Sequence, residues 1–134
     1  MKLRFICYTD AMIRLQGDSV LFLNLLKKFS ESYGEYINEI ESLINNSDYM
    51  EAYEVTHLIK GTAANLSMKN LEFVSDKLCY ALSDTDEVAI ESYLVKLKRE
   101  FKYVLDEIKE YLSVGGNLWR MFCFCWITYR DMCI

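Results

Sequence analysis

Between Asp18 and Ser113 the apolar residues recur at three- and four-residue steps, the spacing that gathers side chains on one face of an α-helix. The first stripe runs through Phe22, Leu26, Phe29, Tyr33, Tyr36 or Ile37, Ile40 and Leu43 or Ile44, widened by Leu21 and Leu25. Asp18 stands where an N-cap belongs and Asn45-Asn46 where a helix stops, which predicts one long helix. Asp48 with Glu51 has capping-box spacing and opens a second helix that reaches about Leu66. Ser67 is placed to cap a third, carrying Leu71, Val74, Leu78 and Leu82. The polar break Ser83-Asp84-Thr85-Asp86 opens a fourth, with Asp84 and Glu87 again at box spacing. Its stripe is Ile90, Leu94, Leu97, Phe101, Val104 or Leu105, Ile108 and Leu112. Short breaks between long amphipathic helices make antiparallel neighbours, so the pattern predicts an all-α, up-down-up-down four-helix bundle behind a short N-terminal helical lead.

Composition supports that reading and narrows the function. Of 134 residues, 52% are apolar and 26% charged, enough for a core and a solvated surface, and the chain has no proline and only five glycines. A fold of many tight turns lacks its usual punctuation here. The net charge of −5 and the lack of clustered Lys and Arg argue against a nucleic-acid backbone as partner. No apolar run approaches the ~20 residues of a membrane span, and no secretory leader is evident. Five cysteines, with Cys7 and Cys79 isolated and Cys123, Cys125 and Cys133 bunched, match neither a disulfide framework nor a CxxC metal pattern, and suggest a reducing cytoplasm. After the glycine pair Gly115-Gly116 the character changes to a hydrophobic tail containing Trp119, Phe122 and Trp126. The division is therefore a bundle over residues 1–113 and a hydrophobic tail over 114–134, read as a non-native, disordered extension or as a functional hydrophobic anchor or docking peptide.

The unusual surface is that of the second helix. At ~100° per residue, Ala52, Val55, Ile59, Thr62, Ala63 and Leu66 share one side, and Met50, Tyr53, His57, Lys60, Gly61 and Ala64 share the other. His57, the only histidine, thus points away from the core. A solitary histidine is ordinarily a hydrogen-bonded or surface residue without a role, but two neighbours argue otherwise. Gly61 lies one turn on, in a helix interior where glycine costs ~1 kcal/mol relative to alanine. A missing side chain there lets a partner approach the imidazole. Lys60 brings a mobile cation to the same face, suited to a phosphoryl group on the ring. Imidazole is also the side chain whose neutral form offers a nucleophilic nitrogen near neutral pH.

The run His57-Leu58-Ile59-Lys60-Gly61-Thr62-Ala63-Ala64-Asn65-Leu66 closely resembles the His-x-Leu-Lys-Gly-x-Ala motif of histidine-containing phosphotransfer (HPt) domains. Leu15-Gln16-Gly17-Asp18, followed by Leu25, Leu26 and Phe29, resembles the family's first long helix, and the likeness extends over about residues 8–112. Two departures are Ile59 in a leucine position and Ser67 where many members carry glycine. The resemblance implies a phosphorelay intermediate. His57 would take a phosphoryl group on Nε2 from a receiver-domain aspartate and pass it to another receiver, Lys60 would balance its charge, and Gly61 would give access. The implied partners are response-regulator receivers and a hybrid histidine kinase, with Met50, Tyr53, Ala64 and Met68 as docking residues and support from the outer face of the first long helix. No cofactor or metal is expected on this chain, since Mg²⁺ would sit on the receiver, and a monomer is expected.

Other chemistries fare worse. Neither a Gly-x-Gly nucleotide loop nor a Walker lysine is present, so the chain is not an autonomous kinase. Glu54 is the only carboxylate near His57 on the helix, too few ligands for a metal. The alternative left open is a helical module that docks on a receiver or kinase and inhibits it without carrying phosphate.

Overall fold

Each break in the hydrophobic pattern becomes a helix end of the same design. In the computed structural model, which describes residues 3–113, the order is α1 (Tyr8–Arg14), α2 (Ser19–Asn45), α3 (Tyr49–Asn65), α4 (Lys69–Ser83) and α5 (Glu87–Ser113). The described residues contain no strand. The hydrophobic tail, with Trp119, Phe122 and Trp126, lies outside the described residues.

α3 ends with Ser67 N–H donating to the Ala64 carbonyl and Met68 N–H to that of Ala63, at 3.2 and 2.8 Å, a Schellman closure. The same pair of bonds closes α1 through Gln16 and Gly17, α2 through Ser47 and Asp48, and α4 through Thr85 and Asp86. In every case the residue just past the cap is left-handed: φ is 56° at Gln16, 60° at Ser47, 56° at Ser67 and 49° at Thr85. Glycine is the ordinary occupant of that position. The chain uses none there, which is why a reading that looks for glycine stops misses the motif.

These closures correct three expected caps. Ser67 does not cap α4, because its left-handed backbone belongs to the end of α3, and Met68 occupies the N-cap position without a side-chain hydrogen bond. Asp48 precedes α3 but makes no side-chain cap bond. The fourth long helix is capped by Asp86, whose Oδ1 accepts from Ala89 N–H at 3.2 Å, and Asp84 is instead the C-cap of α4. Asp18 caps α2 as expected, accepting from Leu21 N–H at 2.9 Å.

Three-residue connections at 46–48, 66–68 and 84–86 fold consecutive helices back on one another. α2 packs on α3 and α5, and α4 fills the remaining side between them. Cross-helix pairs give the directions: Phe22 meets Tyr111 and Phe29 meets Phe101 edge-on or tilted, so α2 and α5 are antiparallel. Tyr33 Oη and Thr62 Oγ1 share a 2.7 Å hydrogen bond between α2 and α3. The expected stripes fill the interior, with Phe22, Leu26, Phe29, Ile40, Ile59, Leu71, Leu78, Ile90 and Leu97 essentially inaccessible. At ~25 cal/mol per Å² of apolar surface removed from water, these side chains supply most of the drive to fold. The final turn of α5 departs from the expected stripe, burying Tyr111 while Leu112 stays half-buried.

The N-terminal lead is stitched on by polar contacts as well as by buried Leu3 and Ile6. Arg4, Phe5 and Ile6 donate their backbone N–H groups to the carboxylate of Glu107 on α5, at 2.9 to 3.2 Å. Burial pushes the Glu107 carboxyl above its ordinary range, and those three donors oppose the shift. Cys7 N–H donates to the Ser67 carbonyl, and the Ser67 hydroxyl donates to Asp10 Oδ2 at 2.6 Å. Serine in place of glycine at 67 thus trades backbone comfort for a hydroxyl that ties α1 to the α3–α4 turn.

Candidate functional site

The outer face of α3 has the polarity that the helical wheel predicts. Ala52, Thr56, Ile59 and Ala63 are buried, and His57 and Gly61 are exposed. Thr56 was not expected inside; its hydroxyl returns to the Ala52 carbonyl at 2.7 Å, which satisfies it without leaving the helix. The Tyr53 ring lies parallel to the His57 ring, with an interplanar angle of 5° and centroids 6.0 Å apart, one turn toward the N-terminus. Among the described residues neither ring nitrogen of His57 takes part in a hydrogen bond or ion pair. The imidazole is therefore braced on one side and open at its edge.

A Cβ built on Gly61 meets nothing within 4 Å. No internal packing demands glycine at this position, so its helix cost has no explanation inside the bundle. What the glycine leaves empty is space beside His57 that faces outward. Ala64, one turn further, is half-exposed and keeps the surface low.

Lys60 is tied rather than free. Its Nζ lies 2.7 Å from Asp76 Oδ1 on α4, with the two side chains 33% and 32% exposed. The hydrogen bond to Asp76 raises the Lys60 pKa above its ordinary value, so the ammonium stays charged. Asp76 itself was invisible to the reading of the sequence, because nothing in a single chain announces a pair that forms across two helices.

The expected docking residues separate into two groups. Met50 is 84% exposed and Tyr53 38%, on the same face as His57. Met68 is fully buried and cannot be offered to a partner. The cause is the Schellman closure, which turns the second residue past the cap back onto the helix it ends and packs it there. Two exposed aromatics were missed: Phe73, 61% exposed, and Tyr80, 62%, stand one turn on either side of Asp76. Both lie off the stripe of Leu71, Val74, Leu78 and Leu82, the signal by which they were legible as surface residues.

The remaining candidate chemistry is quiet. Burial pushes the Cys79 thiol up to about 11, which leaves it protonated and unreactive. Among the described residues no cluster of His, Cys, Asp and Glu could hold a metal ion. No described helix is long and apolar enough to cross a membrane.

The described residues thus form a helical bundle that presents His57 on an outer helix face, with Lys60 and the open Gly61 position on the same face. A match to the Hpt domain family covers residues 24–112, and the chain belongs to that family. Hpt domains act in phosphotransfer in two-component phosphorelays, passing phosphoryl groups to receiver domains. Comparison with curated proteins finds no match, nor does comparison with solved structures.

Proposed function

We propose that His57 is the phosphoryl carrier, taking the group from the aspartyl phosphate of one receiver domain and delivering it to the aspartate of another. The observation that carries this reading is the juxtaposition on α3 of an exposed imidazole, without a polar partner among the described residues, with the open position at Gly61. In the transfer the Nε2 electron pair forms a bond to phosphorus as the phosphorus–oxygen bond to the receiver's carboxylate breaks. That bond pair leaves with the carboxylate, and the Nδ1 proton stays on the ring. Delivery to the next receiver is the same step reversed.

Nothing in this exchange asks the carrier for an acid or base of its own. Its contribution is position and charge. Tyr53 fixes the imidazole plane, Gly61 and Ala64 admit the receiver's active-site loops, and Lys60 compensates the phosphoryl charge. Mg²⁺ and the acidic pocket belong to the receiver in this reading. Met50 and Tyr53 supply apolar contact for docking, joined by the outer face of α2.

Incubation with a receiver domain charged by acetyl phosphate tests the proposal. Acid-labile label on the wild-type protein and none on His57→Gln is the expected result. Intact binding to receivers with no label on the wild type would replace the carrier with a docking module.

A further inference from the structure

We infer that Asp76 is a positioning residue for phosphoryl transfer, holding the Lys60 ammonium in place beside His57 before the phosphoryl group arrives. The inference rests on the carrier role proposed for His57 and extends it to a residue on a different helix. Lys60 follows His57 by three residues, so the two side chains are neighbours on the outer face of α3. A lysine side chain has four flexible torsions, and an unanchored one spreads its charge over a wide arc of solvent. Here a single contact removes that freedom, the 2.7 Å bond from Nζ to Asp76 Oδ1.

The surroundings make Asp76 the dedicated anchor. Lys77, the adjacent cation on α4, is engaged elsewhere, with its Nζ over the Phe73 ring at 5.4 Å. Phe73 and Tyr80, 61% and 62% exposed, flank Asp76 one turn to either side along α4. An ammonium has three donors, and one bond to Asp76 leaves two for phosphoryl oxygens on the His57 ring. Asp76 therefore need not release Lys60 for Lys60 to act. Its reach sets the side from which the cation meets the phosphoryl group, while Gly61 keeps the other side open to the receiver.

The test measures the rate of transfer from a phosphorylated receiver to the wild type and to the variants Asp76→Asn, Asp76→Glu, Lys60→Gln and the double variant Lys60→Gln with Asp76→Asn. Asp76→Asn is expected to slow transfer roughly fivefold, the scale of a half-exposed ion pair. Asp76→Glu, which keeps the carboxylate, is expected to restore most of the rate. The double variant should be no slower than Lys60→Gln alone, because Asp76 acts only through Lys60. The Lys60 pKa, followed by NMR of the side-chain ammonium, should fall in Asp76→Asn, which reports that the ion pair is formed in solution, while the rescue by Asp76→Glu and the non-additive double variant report its effect on transfer. Unchanged transfer in Asp76→Asn, or losses that add in the double variant, would overturn the inference while leaving His57 as the carrier. Absence of label on the wild type would overturn both.

Discussion

Where the N-terminal lead crosses α5, the Glu107 carboxylate is buried and takes hydrogen bonds from three successive backbone N–H groups. On the outer face of α3, by contrast, the polar groups are left partly unspent: His57 has no polar partner among the described residues, Lys60 uses one donor, and Gly61 presents no side chain at all. The first arrangement closes a seam, and the second holds a surface open for something outside the chain. Structural and functional polarity thus part in how far each group's bonding capacity is used within the bundle. A polar group whose bonding capacity is consumed internally reports on stability, and one whose capacity is kept free reports on chemistry.

The largest effect is expected on the closed side. Glu107→Ala leaves three backbone donors without their acceptor, and the expected loss is about 2 to 3 kcal/mol of stability. Denaturant unfolding measures it, and transfer by the molecules that remain folded should be unchanged. On the open side the expectation reverses. Gly61→Trp should cut the transfer rate by an order of magnitude or more without lowering the melting temperature, since a Cβ at this exposed position meets nothing within 4 Å. Gly61→Ala should raise stability by about 1 kcal/mol, the helix penalty of glycine. A fall in stability for either variant would mean that the glycine serves internal packing.

A smaller effect is expected at the turns. Thr85 is a β-branched residue at φ 49°, a conformation that strains it, and its hydroxyl bonds only the neighbouring Asp84 carbonyl. Thr85→Gly should stabilise the fold by up to about 1 kcal/mol. Ser67→Gly should gain less, because it also forfeits the hydroxyl bond to Asp10. Thermal unfolding of the two variants side by side measures the difference.

The smallest effects are those of pH, and the two seam carboxylates act in opposite senses. Glu107 has a folded pKa above 4.5, so its contribution is fully present below 4.5 and is lost as pH rises through the folded value. Asp10, held below 3.8 chiefly by the Ser67 hydroxyl and then by Arg14, contributes above 3.8 and loses that contribution as pH falls through its folded value. Unfolding measured from neutral pH downward should therefore show a gain from Glu107 on the approach to 4.5 and a loss from Asp10 below 3.8. Glu107→Gln should flatten the first and Asp10→Asn the second.

Much of this architecture is legible from one sequence because burial repeats. A helix states its core face many times over, so Phe22, Leu26, Phe29 and Ile40 place α2 even when one position is ambiguous. Single-residue signals are weaker. Asp84 looked like the cap of the fourth long helix, and the geometry of the α4 closure gives that place to Asp86. Met68 looked like a surface residue beside a polar turn, and the Schellman closure buried it. His57, Lys60 and Gly61 were legible together because they lie within one turn of a single helix. Asp76 and Glu107 were not, since each acts on a partner from another element and nothing periodic marks the pairing.

The central claim is that the free edge of the His57 ring carries the phosphoryl group. NMR with ¹⁵N-labelled histidine and ³¹P detection, after phosphorylation by a receiver, tests it most directly. The account predicts one phosphoryl group per chain, bonded to Nε2 of His57. A phosphoryl group on any other residue, or none on a chain that still binds the receiver, would contradict it.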